Sequence, residues 1–207
     1  MQFRIVAAVA CVVALSGCAT IEDVVPVPYT AQGGTQSGAG IKVTAAVVDG
    51  RTLDRARIST KINGFGQELA AIRSDRDVTA IVKDAFEAEL RSRGYSLAPG
   101  GPSVTISVKR FYSKFKQGVF SGEADADVQL SATVALPDGT KRYERDIAVT
   151  GVESGVQLAS GSNAAASLSD GMKKAFATIF ADESFLAALR GQGAPVAARN
   201  VLSAGNS

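Results

Sequence analysis

An α+β fold, a mixed sheet of at least four strands in β-α-β-β-β-α order with helices packed on one face, is predicted by three features of the sequence. These are a β-branched run ahead of an amphipathic helix, three alternating strands after it, and a second amphipathic helix near the end. Ile41 to Val48 is the β-branched run, and it stops at Asp49-Gly50, the pattern of a strand buried on both faces or flanked by helices. From Asp77 to Tyr95, the residues Val78, Ile81, Val82, Ala85, Phe86 and Leu90 fall at helical spacing, with Lys83, Asp84, Glu87 and Arg91 mainly elsewhere on the wheel. Ser74 or Asp77 can cap that helix, and Gly94 can end it in the left-handed conformation.

Three strands follow. Val104, Ile106 and Val108 alternate with polar residues, as do the even positions from Ala124 to Leu136 and then Tyr143, Ile147 and Val149. Asp138-Gly139 is a two-residue hairpin signal, and a turn there pairs Val134 with Tyr143, Leu130 with Ile147 and Val128 with Val149, so that both apolar faces fall on one side. The preceding hairpin does not close so simply. A turn at Gln117-Gly118 would set Val108 opposite Asp127, wrong by one residue, so an extra residue is expected as a bulge at Gly118 or Gly122, or a longer loop from Ser113 to Gly122. Ser162 or Asn163 is expected to cap the second long helix, with Leu168, Met172, Ala175, Phe176, Ile179 and Phe180 on one face, and Asp182 to begin a short third one. The segment from 50 to 76 is long for a loop, contains a turn at Gly64-Phe65-Gly66, and can conceal a short hairpin from Thr60-Lys61-Ile62 and Leu69-Ala70-Ala71-Ile72.

The single domain is expected over residues 41–190, and the ends read differently. Arg4 precedes an apolar run from Ile5 to Leu15, too short to span a bilayer core of about 30 Å, which takes about 20 helical residues. Residues 1–17 therefore read as an export signal, and Leu15-Ser16-Gly17-Cys18 resembles the lipobox of bacterial lipoproteins, in which the chain is cut before a cysteine carrying lipid. Lipid on Cys18 would tie the domain to a membrane, since two or more acyl chains anchor stably. Ala19, where an Asp would favour the inner membrane, points to the outer membrane, facing the periplasm. Residues 18–40, with Pro26, Pro28, Gly33-Gly34 and Gly38-Ala39-Gly40, read as a flexible tether, and 191–207 as a disordered tail.

Composition excludes several chemistries. Removing Arg4 from the 22 basic residues leaves 21 against 20 acidic ones, so the mature chain is near neutral, and nucleic acid is not an expected partner. There is no histidine, which rules out Ser-His-Asp and Cys-His arrangements and His-containing zinc sites. No cofactor, no metal and no catalytic residues are expected. Glu123, Asp125 and Asp127 alternate on one strand and could bind a cation or do acid-base work, but such a row is more often the solvated face of a half-buried strand. Phe65, Lys114, Phe115, Lys116 and Phe120 are the candidate partner-contact residues, being aromatic and basic residues in glycine-rich surroundings. The competing reading packs the phenylalanines into the core and leaves the lysines to keep a strand edge soluble.

Val47-Val48-Asp49-Gly50-Arg51, Lys61-Ile62-Asn63-Gly64-Phe65-Gly66, the segment from Ala70 through the first helix, and Phe115-Lys116 followed by Gly118 and Gly122 together resemble the YajG-type family of bacterial lipoproteins over residues 43–190. The resemblance implies a lipoprotein of the outer membrane and carries over no activity or catalytic residue. The element order is also similar to that of small envelope lipoproteins that assist lipid or lipopolysaccharide transport, an analogy of fold alone. The leading expectation is a non-catalytic, membrane-anchored lipoprotein that binds another envelope component, protein or lipid. A lipid carrier, needing a hollow lined by Phe86, Phe176 and Phe180, is the alternative, and an envelope hydrolase a third class.

Overall fold

The computed structural model of the chain describes residues 20–52, 54–116, 118 and 121–196. In chain order the strands are β1 (Asp23–Val25), β2 (Lys42–Asp49), β3 (Arg57–Ile62), β4 (Glu68–Ser74), β5 (Ser96–Leu97), β6 (Ser103–Lys116), β7 (Gly122–Ala135) and β8 (Lys141–Val156). Helix α1 (Val78–Ser92) lies between β4 and β5, and α2 (Gly161–Phe180) and α3 (Glu183–Leu189) follow β8. The larger sheet has five strands in the order β5-β2-β6-β7-β8, and a three-stranded sheet is ordered β1-β4-β3. The expected β-α-β-β-β-α series is the frame of the larger sheet, formed by β2, α1, β6, β7, β8 and α2. The crossover through α1 makes β2 parallel to β6, with Val47 opposite Ile106.

Local signals explain most element ends. The Asp77 carboxylate accepts the Thr79 N–H at 2.7 Å to start α1, and Gly94, at φ +86°, carries the chain out of it. Ser160 rather than Ser162 or Asn163 caps α2, its hydroxyl accepting the Asn163 N–H at 3.4 Å. Asp182 accepts from Ser184 N–H at 2.9 Å and opens α3. The concealed hairpin is β3 with β4, pairing Thr60 with Ala71 and Lys61 with Ala70 around a turn in which the Asn63 carbonyl oxygen accepts the Gly66 N–H at 2.9 Å.

Strand register decides which residues are buried. Val134 faces Tyr143, Leu130 faces Ile147 and Val128 faces Val149 as expected, but the turn is longer than Asp138-Gly139. Leu136 N–H donates to Thr140 O at 2.9 Å and Ala135 pairs with Lys141, a shift of one residue beside Val134. In the β6–β7 hairpin the extra residue is Lys109, where pairing passes from Val108 with Leu130 to Arg110 with Gln129. Neither glycine is the site of the bulge, and both strands continue beyond the expected loop limits, to Lys116 and from Gly122. Lys109 reverses the alternation of β6. Even positions are buried before it, whereas Phe111 and Ser113 are buried after it, so one side of the strand stays apolar throughout.

Helices α1 and α2 cover that apolar side. Phe86 meets Phe176 at 5.5 Å and Phe180 at 5.8 Å, and Phe185 of α3 meets Phe180 at 5.5 Å and Tyr143 at 5.3 Å. These rings are packed on one another in the core, and the hollow that a lipid carrier would need between Phe86, Phe176 and Phe180 is filled. Close approach of α2 to the sheet depends on two glycines. A Cβ on Gly151 would lie 2.0 Å from the Ser167 carbonyl oxygen, and one on Gly171 would lie 2.6 Å from Val128. Among the described residues no helix covers the opposite face of the larger sheet, and on β2 Val48 is 48% exposed there.

The described part of the segment expected as a tether is instead a strap laid across the domain. Its anchor is Glu89, fully buried on α1. The Tyr29 hydroxyl and the Gln32 N–H, the latter at 2.7 Å, both donate to Glu89 Oε1, while Arg93 donates to Oε2. Tyr29 also sets its ring edge-on to Phe176 at 5.6 Å, and the Arg93 guanidinium lies 4.1 Å from the centre of the Phe180 ring. Burial pushes the Tyr29 hydroxyl pKa up, which keeps it a donor. Upstream, β1 pairs parallel to β4, with Asp23 opposite Ile72. Asp23 bonds Lys61 at 2.7 Å and accepts the Gly161 N–H at 3.0 Å, so it also satisfies the exposed start of α2. A composition rich in Pro and Gly cannot bury much surface unaided, but here the core supplies the partners for a few anchoring side chains. At the other end, the described part of the expected tail is tied to β8, with Val196 N–H donating to Lys141 O at 2.9 Å. Residues 197–207 and 1–19 lie outside the described residues.

Three outcomes are expected from this packing. Replacing Glu89 with Ala leaves Arg93 buried without its partner and should cost about 3–5 kcal/mol in chemical denaturation; a loss under about 1 kcal/mol would show that the carboxylate does not hold the strap. Gly151→Ala forces α2 off the sheet and should cost about 1–3 kcal/mol by the same measurement. Burial works against the Asp23 carboxylate, but hydrogen bonds from Lys61 and Gly161 outweigh it and hold its pKa below the usual range. Its stabilisation is therefore full above the unfolded carboxylate pKa of about 3.9 and is lost as pH falls through the lower folded value. An Asp23→Asn variant should show a smaller loss of stability over that acid interval than the parent.

Candidate functional site

The bulge at Lys109 places a seam between the two sheets. Strand β2 pairs with β6 only as far as Val108, and past that point no strand joins β6 on its β2 side among the described residues. Strand β3 crosses the vacated edge and touches it through side chains. The Ser59 hydroxyl donates to Ser113 O at 2.8 Å, and the hydroxyls of Thr60 and Tyr112 meet at 2.7 Å. The Ser113 hydroxyl in turn meets that of Ser167 at 2.8 Å, so three fully buried serines join the small sheet, the large sheet and α2. A hydroxyl buried without a partner is costly, which makes this joint specific in position.

Hollows follow the seam on both sides of the joint. An upper one of about 540 Å³ lies between Arg51, Arg57, Lys109, Arg110, Phe111 and Tyr112, with Asp54 and Glu68 at its rim. A middle one of about 380 Å³ shares Glu68 and Tyr112 with it and adds Ile62, Lys114 and Phe115. The lower one, about 500 Å³, shares Ile62 and Phe115 with the middle one and is bounded by Asn63, Lys116, Val156 and Leu158. Together they make one groove lined by six cations, Arg51, Arg57, Lys109, Arg110, Lys114 and Lys116, against two carboxylates, Asp54 and Glu68. Several of the cations are held in place by acids. Arg51 bonds Asp49 at 2.8 Å and Arg57 bonds Glu68 at 2.9 Å, while Arg110 forms an ion pair with Asp127 at 2.6 Å and Lys116 pairs with Asp125. Asp49 has its pKa lowered by the hydrogen bonds from Arg51, against the opposing effect of burial, so it stays ionised beneath the groove.

The residues singled out in the sequence are partly gathered here. Phe65 stands at the β3–β4 turn, 92% exposed, between Gly64 and Gly66, which border the lower and middle hollows. Phe115 is half-buried, packing on the core edge on one side and lining both hollows on the other. Lys114 and Lys116 are exposed on the same stretch of strand. Phe120 and Cys18 lie outside the described residues. The acidic row of Glu123, Asp125 and Asp127 lies on the side of β7 away from the core, with Glu123 exposed, Asp127 partly exposed and paired with Arg110, and Asp125 largely buried and paired with Lys116. Among the described residues no cluster of acids or cysteines is arranged to hold a metal ion. The upper half of the groove, with Arg51, Arg57, Lys109 and Arg110, was not legible because Arg51 and Arg57 lie in the long segment before β4 and their approach to β6 depends on the bulge.

No helix among the described residues is long and apolar enough to cross a membrane. Comparison with solved structures finds the same fold in a crystal structure of a Xanthomonas campestris protein of the family DUF330, at 16% identity and a TM-score of 0.57, covering 80% of this chain and 96% of that one. A second crystal structure, of an uncharacterized protein, matches at 11% identity and a TM-score of 0.50 over 76% of this chain and 95% of that one. At these identities the likeness is one of fold. No curated protein matches the sequence. The model of the family Lipoprotein_16, described as "uncharacterized lipoprotein", matches residues 28–190, which takes in the later strap, the larger sheet and helices α1, α2 and α3. The chain belongs to this lipoprotein family, the YajG-type family that its sequence resembles.

Proposed function

We propose that the protein is exported, cut before Cys18 and lipidated there, and that it works at the periplasmic face of the outer membrane as a non-catalytic binding domain. Its ligand is another envelope component, a protein that presents an extended acidic segment to the groove between the sheets. The observation that carries this reading is the edge of β6 beyond Val108, which among the described residues has no backbone ladder on its β2 side and is crossed only by side chains of β3. Beside it stand six cations, of which Lys109 and Lys114 have no acid partner among the described residues. Unpaired strand edges give main-chain hydrogen bonds to an added strand, and alternate side-chain pockets give selectivity. The cations would draw an acidic segment in and fix its direction, a salt-dependent effect on association rate. Family membership supports the lipidated address, and Ala19 after the cysteine favours the outer membrane.

Two measurements test the proposal. Mass analysis of the protein from its native membranes should find residue 18 as the first residue, carrying acyl chains, with the protein in the outer-membrane fraction; an unmodified Cys18 or a wholly inner-membrane location defeats the proposed address. Photocrosslinkers at Tyr112 and Phe115 in intact cells should each give one discrete protein adduct, which weakens when Lys109 and Arg110 are both replaced by Glu. Adducts that are absent, or that persist unchanged in the charge-reversed variant, would overturn the groove as the binding site.

A further inference from the structure

We infer that the end of the domain bearing Ile21, Phe65 and Leu158 rests on the phospholipid surface that holds the Cys18 acyl chains, so that the domain is seated on the bilayer and not suspended from it. The inference rests on the proposed lipidation of Cys18.

Among the described residues four large apolar side chains stand out as exposed: Phe65 at 92%, Leu158 at 77%, Val24 at 64% and Ile21 at 63%. Three of these, Phe65, Leu158 and Ile21, share one end of the molecule. Leu158 borders the lower hollow together with Asn63 and Gly64, the residues just before Phe65 in the hairpin turn. Strand β1 lies parallel to β4 with Asp23 opposite Ile72, so the chain traced backward from Asp23 runs along β4 toward that same turn. Lys61 fixes the approach, its ammonium donating to Ile21 O at 2.9 Å. Asp23 meets the start of α2 at Gly161, three residues after Leu158.

The position of the anchor selects the occupant of this surface. Residue 18 precedes Thr20 by two peptide units, which span at most about 7 Å. Acyl chains on residue 18 must enter the hydrocarbon, and the polar zone outside it is only about 5–8 Å deep on each side. Thr20 and its neighbour Ile21 are thereby brought to the level of the lipid headgroups. A domain strapped down from residue 23 onward has no slack to hang farther away. Charge is not the attraction, because Lys114 and Lys116 near this end are offset by Glu68, Glu123 and Asp125. Apolar side chains entering the interface are, and a ring at a turn tip suits that depth.

The sequence contains no tryptophan, so single-tryptophan variants report without background. Phe65→Trp and Leu158→Trp, at exposed positions, and Pro137→Trp, in the turn at the far end of β7 and β8, are each made in the full chain. Each is purified in its lipidated form and reconstituted into vesicles of phosphatidylethanolamine and phosphatidylglycerol with brominated acyl chains. Phe65→Trp and Leu158→Trp should shift to shorter emission wavelength and lose most of their intensity to bromine, while Pro137→Trp keeps both unchanged. Protein that floats with the vesicles yet shows all three tryptophans unquenched overturns the seated arrangement and leaves lipidation intact. Protein that does not float, with an unmodified residue 18 by mass, overturns lipidation and the seating with it.

Discussion

The carboxylate of Glu89 is the interaction on which the rest of the architecture turns. It is fully buried on α1 and accepts from the Tyr29 hydroxyl, the Gln32 N–H and the Arg93 guanidinium. An ionised carboxylate in such a place is tolerable only when its lone pairs are filled, and two of these donors come from the N-terminal strap. Folding of the strap and burial of the acid are thus one event. The same cluster closes the helical layer, since Tyr29 packs on Phe176 and Arg93 lies over Phe180. Without the strap, α1 would present a buried acid to water and α2 would lose a cover for its aromatic face. The strap therefore contributes to the core as well as crossing it.

A second constraint is one of parity. Every buried position of β7 is even, and β6 stays in register with it only by inserting Lys109 and switching from even to odd. This switch coincides with the end of β2, because a bulged, more strongly twisted strand turns its edge away from the neighbour it had been pairing. The edge is then covered by β3 through the hydroxyls of Ser59, Thr60, Tyr112 and Ser113, in place of a backbone ladder. A single inserted residue thus accounts for the continuous apolar face of the large sheet and for the groove along its seam.

The contrast between what could and could not be foreseen follows from the range of the interactions. Helix α1 was legible down to its cap, and the β7–β8 hairpin in its pairing from Val134 onward, because Asp77 and Asp138-Gly139 act within a few residues of themselves; the one-residue shift beside the turn was not. The need for an extra residue in the β6–β7 hairpin was legible too, since alternation is a counting rule. Its location was not, because a glycine is the usual mark of a bulge and Lys109 carries no such mark; what selects it is the need to keep Phe111 inside. The strap was misread for the same reason. Pro26, Pro28 and the glycines around Gly38 argue locally for a loose chain, while its partner Glu89 is 60 residues away from Tyr29 in sequence. Among the candidate contact residues, Phe115 and the lysines beside it were visible as an aromatic and basic cluster. Arg51 and Arg57, which meet Lys109 and Arg110 at the upper end of the seam, come from the segment before β4 and reach it only in the assembled fold.

Strap and groove are also related in space. The β6 strand runs from Ser103 toward Lys116, and the lower hollow at its far end shares Asn63 and Leu158 with the surface from which the chain leaves toward residue 18. The upper hollow, bounded by Arg51 and Arg57, lies at the other end of the same seam. A groove that begins beside the anchor and leads away from it would stand upright on a membrane, with its most basic part farthest from the lipid. An extended acidic segment entering from the aqueous side would meet Arg110 and Lys109 before it met Phe115. Electrostatic attraction would then act at the longer range and apolar packing at the shorter, an order that suits the different distances over which the two forces operate. The short reach between the anchor and β1 is what would keep that orientation constant, so the strap held by Glu89 would set the direction in which the groove is offered as well as the stability of the fold.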